Sequence, residues 1–460
     1  MADNILKLRV FIGLVDIGSY YSGLKQGFDE LGVEAVFVPL MRNKFTREVT
    51  GNPSHWLLSL VDDVRRIGAD GFRSQVMSIG YSWLVMPLTK LLLLMWTVVR
   101  FDVFIFGFAS SFFNFWELPL LKVLGKKIIF VFNGSDSRPP YISGNFLQKG
   151  DKCSAAECVE VARRKKKAMR TIERYADFCI NHPPQAHFHE RKFVNHCFIG
   201  HPCKLLVASL TDGDRSGESD IVRILHAPSN PKPKGTEKVR ALVAGLQGAG
   251  HAIQYVELTN RPNHEVLQEL LRCDFVIDEL YSDIPLAGLG TEAAFFGKPA
   301  VVGGYAQEEL SRHATLTGLP MALYVRPEEV ESVVRRLLED KPYRLAAGLV
   351  AQRFVTEQWT PSKVAARFLR LLTGNVPPEW WYDPKSIRYL YGWGGSEQQI
   401  REYLAEVIKV GGPSALHLSD KPELEASFLR FARSRENAGK DDASSEVHAG
   451  NPTSVQLGVG

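Results

Sequence analysis

Two α/β units, each a parallel sheet with crossover helices, followed by a helical extension, is the fold class that this 460-residue chain predicts. Three observations carry it. Apolar strand-like runs alternate with amphipathic helical stretches over residues 7–182 and again from residue 221 onward, which is the pattern of βαβ units. A polar, glycine-containing stretch, Thr211-Asp-Gly-Asp-Arg-Ser-Gly-Glu-Ser219, separates the two series and reads as a linker. Length alone predicts about three domain-sized units, which two α/β domains and an extension supply. The resulting division is 1–210, 220–372 and an extension over 373–433. A tail over 434–460 lacks bulky apolar residues and is expected to be disordered.

In the first series, Lys7-Leu-Arg-Val-Phe-Ile-Gly13 reads as a strand, residues 23–32 as a helix ending at Gly32, and residues 35–40 as a second strand. Residues 101–107 and 127–132 continue the sheet, a helix covers 155–176, and residues 178–182 add a strand. Ligands of open parallel sheets sit beyond the carboxyl ends of the strands, where residues 16–22, 109–113 and 133–136 gather. The second series opens with a strand over 221–225. Helices over 237–248 and 263–272 alternate with strands at 253–258 and 275–278, and residues 326–372 are largely helical. Pro377-Pro-Glu-Trp-Trp-Tyr-Asp-Pro384 breaks that run, because no single helix crosses it.

Hydrophobic residues at 45% and charged residues at 23% are ordinary for a globular protein. A net charge of +4 is too small a bias to point to nucleic acid. The six cysteines include no Cys-x-x-Cys pair, which fits a reduced, cytoplasmic chain. The first residues lack the basic flank and long apolar core of a signal peptide.

Residues 83–99 carry Lys90 as their only charge. Length favours a buried helix leading into the strand at 101–107; a face dipping into lipid and a membrane span are the other two readings. Arg163-Arg-Lys-Lys-Lys167 with Arg170 and Arg174 forms a basic helix face, read either as solvated or as drawn to the anionic lipid headgroups of a membrane surface or to a pyrophosphate-linked lipid acceptor.

Two loops carry the functional signal. His226-Ala-Pro-Ser-Asn-Pro-Lys-Pro-Lys-Gly-Thr236 offers Ser229, Asn230, Lys234 and Gly235 just beyond a strand. Gly288-Leu-Gly-Thr-Glu-Ala-Ala-Phe-Phe-Gly-Lys-Pro-Ala-Val-Val302 offers Gly288, Gly290 and Thr291 at a helix start, with Glu292 behind them. Unpaired N–H groups and the helix dipole converge at such a start, making it an anion site. A carboxylate there suits ribose hydroxyls.

These elements resemble the C-terminal half of GT-B glycosyltransferases, close to the retaining group called family four. Lys234-Gly235 matches that group's diphosphate-holding pair, and Glu292 with Ala293, Gly297, Pro299 and Val301 matches its ribose-binding motif. The loop Asp16-Ile-Gly-Ser-Tyr-Tyr-Ser22 and Gly134-Ser135-Asp136 resemble the group's N-terminal loops. The resemblance covers roughly residues 7–373 and implies two Rossmann-like domains facing across a cleft, with the extension returning onto the first. It implies a nucleoside diphosphate sugar as donor, a glycan or lipid-linked saccharide as acceptor, and neither metal nor further cofactor. Gly18 and Ser19 would approach the diphosphate from the opposite wall. Two positions depart from the group: Ser229 stands where many members carry Arg, and Ile284, beside Asp283, where many carry Glu.

Asp136, Lys234 and Asp283 are therefore the catalytic candidates. Lys234 would stabilise charge growing on the leaving diphosphate, against the plainer reading of a solvated loop lysine. Asp136 would orient the acceptor or take its proton, against the plainer reading of a turn cap. Asp283 would sit near the donor sugar after a one-residue loop shift. The histidines at 182, 187, 189, 196 and 201, with Cys197 and Cys203, match no standard zinc spacing and read as surface residues near a domain boundary. Three rivals remain open: a sugar-nucleotide epimerase, a catalytically weak binding subunit, and a membrane-associated scaffold.

Overall fold

The computed structural model describes residues 8–41, 52, 55–69, 78–79, 81–147, 154–203, 220–311 and 323–445, so the linker expected at 211–219 lies outside the described residues. Strand β1 (Val10–Val15) is buried nearly throughout. An apolar strand with no exposed face belongs mid-sheet, covered on both sides. It pairs in parallel with β2 (Ala35–Met41) on one edge and β3 (Val103–Gly107) on the other. The sheet continues through β4 (Lys127–Val131), β5 (Phe178–Asn181) and β6 (Phe193–Asn195), in the order β2-β1-β3-β4-β5-β6.

Alternation along the strands divides the buried residues between two cores. Val10 and Ile12 face helix α1 (Tyr20–Glu30) through Tyr20, Leu24 and Phe28. Phe11 faces the other layer, built from α2 (Trp56–Ala69), α3 (Met86–Arg100), α4 (Leu118–Val123) and α5 (Ala155–Tyr175). That period-two division is what a pleated strand enforces. Helix α3 follows a π-helical turn at Tyr81–Val85. It is not the buried helix that its length favours. Leu93, Leu94, Thr89 and Thr97 are buried, while Leu88, Leu91, Met95 and Val99 face outward. One side of α3 suffices to cover the sheet, and nothing in the described chain lies over its other side.

A second, wholly parallel sheet runs β8-β7-β9-β10-β11, from β7 (Val222–His226), β8 (Ile253–Glu257), β9 (Phe275–Ser282), β10 (Ala300–Gly304) and β11 (Tyr324–Val325). Its helices are α6 (Thr236–Gly248), α7 (Asn263–Arg272), α8 (Gly288–Phe295), α9 (Val330–Glu339) and α10 (Lys341–Gln358). Strand β9 runs four residues beyond its expected end and stops immediately before Asp283. In both sheets the winding reverses beside the first strand, at β1/β3 and at β7/β9. Such switch points open a crevice at the carboxyl ends of the strands.

The chain then returns to the first unit, earlier than expected. Thr360 caps α11 (Pro361–Leu372) by accepting from the Lys363 N–H, and α11 packs on α1. The contact is close: a Cβ on Gly27 would lie 2.0 Å from the Pro361 carbonyl oxygen. The proline-rich break supplies β12 (Trp381–Tyr382), antiparallel to β6, as a seventh strand of the first sheet. Helix α12 (Glu397–Gly411) lies on α5, with Gly411 against Val159. The last helix, α13 (Pro422–Ser445), is anchored by buried Leu424, Phe428 and Phe431. Its described span runs to Ser445, past Ser434, where the tail was expected to begin. Residues 446–460 lie outside the described residues.

Candidate functional site

The second unit's half of the crevice begins where β7 ends. Asn230 starts a single helical turn, Pro231–Lys234, that stops at Gly235 in a left-handed conformation (φ 74°). Glycine suits that conformation, and a Cβ there would also press on the Leu280 side chain at 3.1 Å. Gly235 thereby links the turn to α6 and turns Lys234 toward β9. The Lys234 Nζ lies 2.9 Å from Asp278 Oδ1 and 3.4 Å from Glu279 Oε2. Burial alone would lower the ammonium's pKa, but these two carboxylates outweigh it and hold the group above its ordinary value. Lys234 is thus a permanently charged, fixed donor and not a solvated loop lysine.

Asp278 uses its second oxygen to accept from the N–H of Gly290 (3.2 Å), inside the first turn of α8. One buried carboxylate therefore ties the lysine turn to the glycine-rich helix start, which explains why Gly290 points into the fold and away from the crevice. Glu292, a turn further on, accepts from Asn263 Nδ2 at 2.9 Å. Asn263 opens α7, so the position of Glu292 is set from a neighbouring helix.

Gly18 and Ser19 supply the opposite wall. Both have positive φ (55° and 60°), and Ser19 opens α1. Left-handed backbone at a non-glycine residue is locally strained and is held by its surroundings. Together with Ala227, Ser229, Lys234, Leu258, Asn260, Arg261, Asn263, Gly288 and Glu292, they line one cavity of ≈ 260 Å³. A smaller adjoining recess is lined by Gly18, Ser19, His201, Gly288, Thr291 and Glu292. Of the expected binding residues, Gly18, Ser19, Ser229, Lys234, Gly288, Thr291 and Glu292 meet here. Gly290 faces a separate apolar pocket beside Leu286 and Ala294, while Asn230 and Gly235 shape the lysine turn without lining the cavity.

The two aspartates stand elsewhere. Asp136 folds back on its own loop, accepting from the Asn133 N–H at 3.1 and 3.3 Å. Burial raises its pKa to about 6, opposed by that hydrogen bond and by Lys165. This is the turn-cap geometry. Asp283 is buried and paired with Arg138 (2.7 Å from Nε to Oδ2) and with Gln185 (3.0 Å). The pair joins the loop after β4 to the loop after β9, across the two units. Trp393 of the extension completes the seam: its ring lies 5.4 Å from the Arg138 guanidinium, and its indole N–H donates to Glu279 (2.9 Å). Gly394 N–H donates to Tyr281 O, and Gly144 N–H to Trp393 O, so the extension is bonded to both units.

The histidines are not the surface residues expected. His187 and His189 are fully buried, bonded to Tyr389 O and to Glu173 respectively, and His182 stacks on His196 at 4.3 Å. His187 packs on Phe428 of the extension, and His189 on Phe132, just past β4, and on Phe193 of β6. Among the described residues no three His, Cys, Asp or Glu side chains are grouped to hold a metal ion. Sequence reasoning missed Asp278, Asn263, Arg261 and Arg138. Arg138 sits two residues past Asp136 in a loop already singled out; the others carry no local signal, since a buried Asp inside an apolar strand is legible only once its partners are known.

No family model matches the chain, and no curated protein matches it. Solved structures align with most of it. The catalytic domain of starch synthase IV from Arabidopsis thaliana, bound to ADP and acarbose, is 12% identical at a TM-score of 0.45, over 80% of this chain and 99% of that one. MnaA of S. aureus with UDP is 11% identical at 0.41, over 80% and 96%. The glycotransferase of kitacinnamycin is 13% identical at 0.42, over 79% and 98%. Likenesses of this size say nothing of substrate. The strand orders, the facing switch points and the returning extension describe the architecture by themselves. The fold is GT-B.

Proposed function

We propose that the chain is a glycosyltransferase that moves a sugar from a nucleoside diphosphate donor to a hydroxyl of a glycan or lipid-linked acceptor at the cytoplasmic face of a membrane. One observation carries the reading: Gly18 and Ser19 of the first unit and Lys234, Gly288 and Glu292 of the second line a single cavity at both switch points. Glu292, oriented by Asn263, suits the ribose, and Lys234 with the α8 start suits the diphosphate. During transfer the bond from sugar C1 to the diphosphate oxygen breaks, and negative charge grows beside Lys234. Asp136 and Asp283 are both engaged by neighbours. This favours a retaining course in which the departing phosphate oxygen takes the acceptor's proton. The donor is a substrate, and the reading calls for no further cofactor.

Thermal shift with a panel of nucleoside diphosphate sugars tests it. A donor at a hundred times its Kd adds about 2.7 kcal/mol, a rise of a few degrees, and Glu292→Ala abolishes most of that. If no donor in the panel moves the wild-type melt, the proposal fails. The buried Arg138–Asp283 pair also favours a narrower reading, donor binding without turnover. Release of nucleoside diphosphate on adding acceptor glycans separates the two.

A further inference from the structure

Helix α3 presents an outward apolar stripe, Leu84, Leu88, Leu91, Met95 and Val99, continued from the preceding π-helical turn and headed by Trp83, which is 81% exposed. Tyr81–Arg100 is long and apolar enough to cross a membrane, and only 22% of its 18-residue apolar window is buried. The opposite side of the same helix is nevertheless fixed in the core: Leu93 and Thr97 are fully buried, and Phe101 at its end packs on Phe11 and Trp96. Spanning a bilayer would tear that side out. Lying on one would not.

Two neighbouring elements of the same helical layer say what the partner is. Trp116, two residues before α4, and Leu120 and Val123 within it are exposed, the first and last at 84%, and the Lys126 ammonium just beyond α4 donates to Phe101 O at the end of α3. The exposed apolar residues of α4 thus belong to the same helical layer as the α3 stripe. Beyond α4 comes α5, whose outward face repeats Arg163, Lys167, Arg170 and Arg174 at helical spacing, with Arg164 alongside. Glu160 and Glu190 answer some of this charge, but Lys167 and Arg174 face solvent. No acidic residue lies between Tyr81 and Arg100. An apolar strip with indoles at its ends, bordered by a basic strip on the same layer, is the pattern of interfacial attachment to anionic lipid. A second copy of the chain would set basic strip against basic strip if the faces met squarely.

We infer that the α3–α4–α5 face docks the first unit onto the surface of an anionic bilayer, with the α3 stripe inserted among acyl chains and the α5 face over the headgroups. The inference is independent of the sugar-transfer reading, because it is read without donor or acceptor.

Flotation of the full chain with vesicles tests it. Vesicles of phosphatidylcholine with 30% phosphatidylglycerol (a proportion of roughly the anionic-leaflet kind) are compared with phosphatidylcholine alone and with no lipid. Binding to the anionic vesicles is expected, falling on the order of tenfold or more on phosphatidylcholine alone and for Lys167→Glu/Arg174→Glu. Leu88→Gln/Met95→Gln is expected to lose binding similarly while its circular dichroism melt matches or exceeds wild type, since both positions face outward. Equal recovery with and without vesicles would overturn the inference. So would a lipid-free dimer, seen by light scattering, that Leu88→Gln/Met95→Gln dissolves while vesicle binding stays nil; the face would then belong to a second copy.

Discussion

Lys234 illustrates how a charged side chain can be essential to a site and yet a poor choice for mutating it. Its ammonium lies between the Asp278 and Glu279 carboxylates, both of them buried. Lys234→Ala leaves two uncompensated buried charges, a loss of about 3–5 kcal/mol. A urea titration should therefore show a large fall in midpoint for Lys234→Ala and little change for Glu292→Ala, making the latter the cleaner probe of donor binding. The buried imidazoles make a second prediction. Burial depresses His182 to about 3 and His187 to about 4, and holds His196 well below its ordinary value. Between those values and the ordinary 6.5 the unfolded chain takes up protons that the folded chain refuses. Stability is thus complete above about pH 6.5 and is lost as pH falls toward the folded values, by about 3 kcal/mol for a ring shifted as far as His187. Asp136, raised to about 6, acts in the opposite sense. The urea midpoint should drop between pH 7 and pH 5; a flat profile would contradict the burial. The lysine was legible in the sequence because it sits before a glycine and at a helix start. The histidines were misread because spacing along a chain says nothing about burial when tertiary contacts set it.

At the scale of elements, the strands and helices were legible wherever an apolar period was long and uninterrupted. Helices α5 and α7 and the start of α8 fall where the pattern puts them, and strand β1 (Val10–Val15) overlaps its expected span of 7–13 but is shifted toward the C-terminus. The short strand β12 was not legible, because two residues carry no period and its position depends on an edge offered by β6. Nor was the reach of α11, whose return onto α1 is tightest where Gly27 meets Pro361. That approach yields a prediction with its own control. Gly27→Ala places a methyl group 2.0 Å from the Pro361 carbonyl, with backbone on both sides, and should cost about 1–3 kcal/mol through overpacking. Gly245→Ala, in α6 with no atom within 4 Å of the added carbon, should instead stabilise by up to about 1 kcal/mol, as helix propensity alone dictates. Thermal melts of the two variants should move in opposite directions. If both rise, α11 does not seat on α1 as closely as its backbone indicates.

For the whole molecule, the two-unit division was legible from the repeated alternation, but what holds the units together was not. The seam is made by residues 145 positions apart in the chain, Arg138 and Asp283, closed over by Trp393 from the extension and braced by Gln185. Asp283 stands out in the sequence only as a catalytic candidate, and nothing local marks it, Arg138, Gln185 or Trp393 as fastening the units. A buried ion pair of this kind gains little over an apolar pair but costs heavily when one partner is removed. Asp283→Ala and Arg138→Ala should each lower stability by about 3–5 kcal/mol, because each strands the other's charge at the seam. Arg138→Met/Asp283→Leu should recover most of that loss, since neither charge remains. With Arg138→Met and Asp283→Leu also made singly the cycle closes, and its coupling should be at least as large as one single loss, about 3–5 kcal/mol, because the two single losses are not summed in the double. The same double variant separates two roles for Asp283. If donor still shifts its melt as it does for wild type, Asp283 serves to fasten the units; if the shift disappears while the fold stays stable, the pair also shapes the donor cavity. Additive single losses in the cycle would mean that Arg138 and Asp283 do not meet in solution, and the closed arrangement of the two units would have to be abandoned.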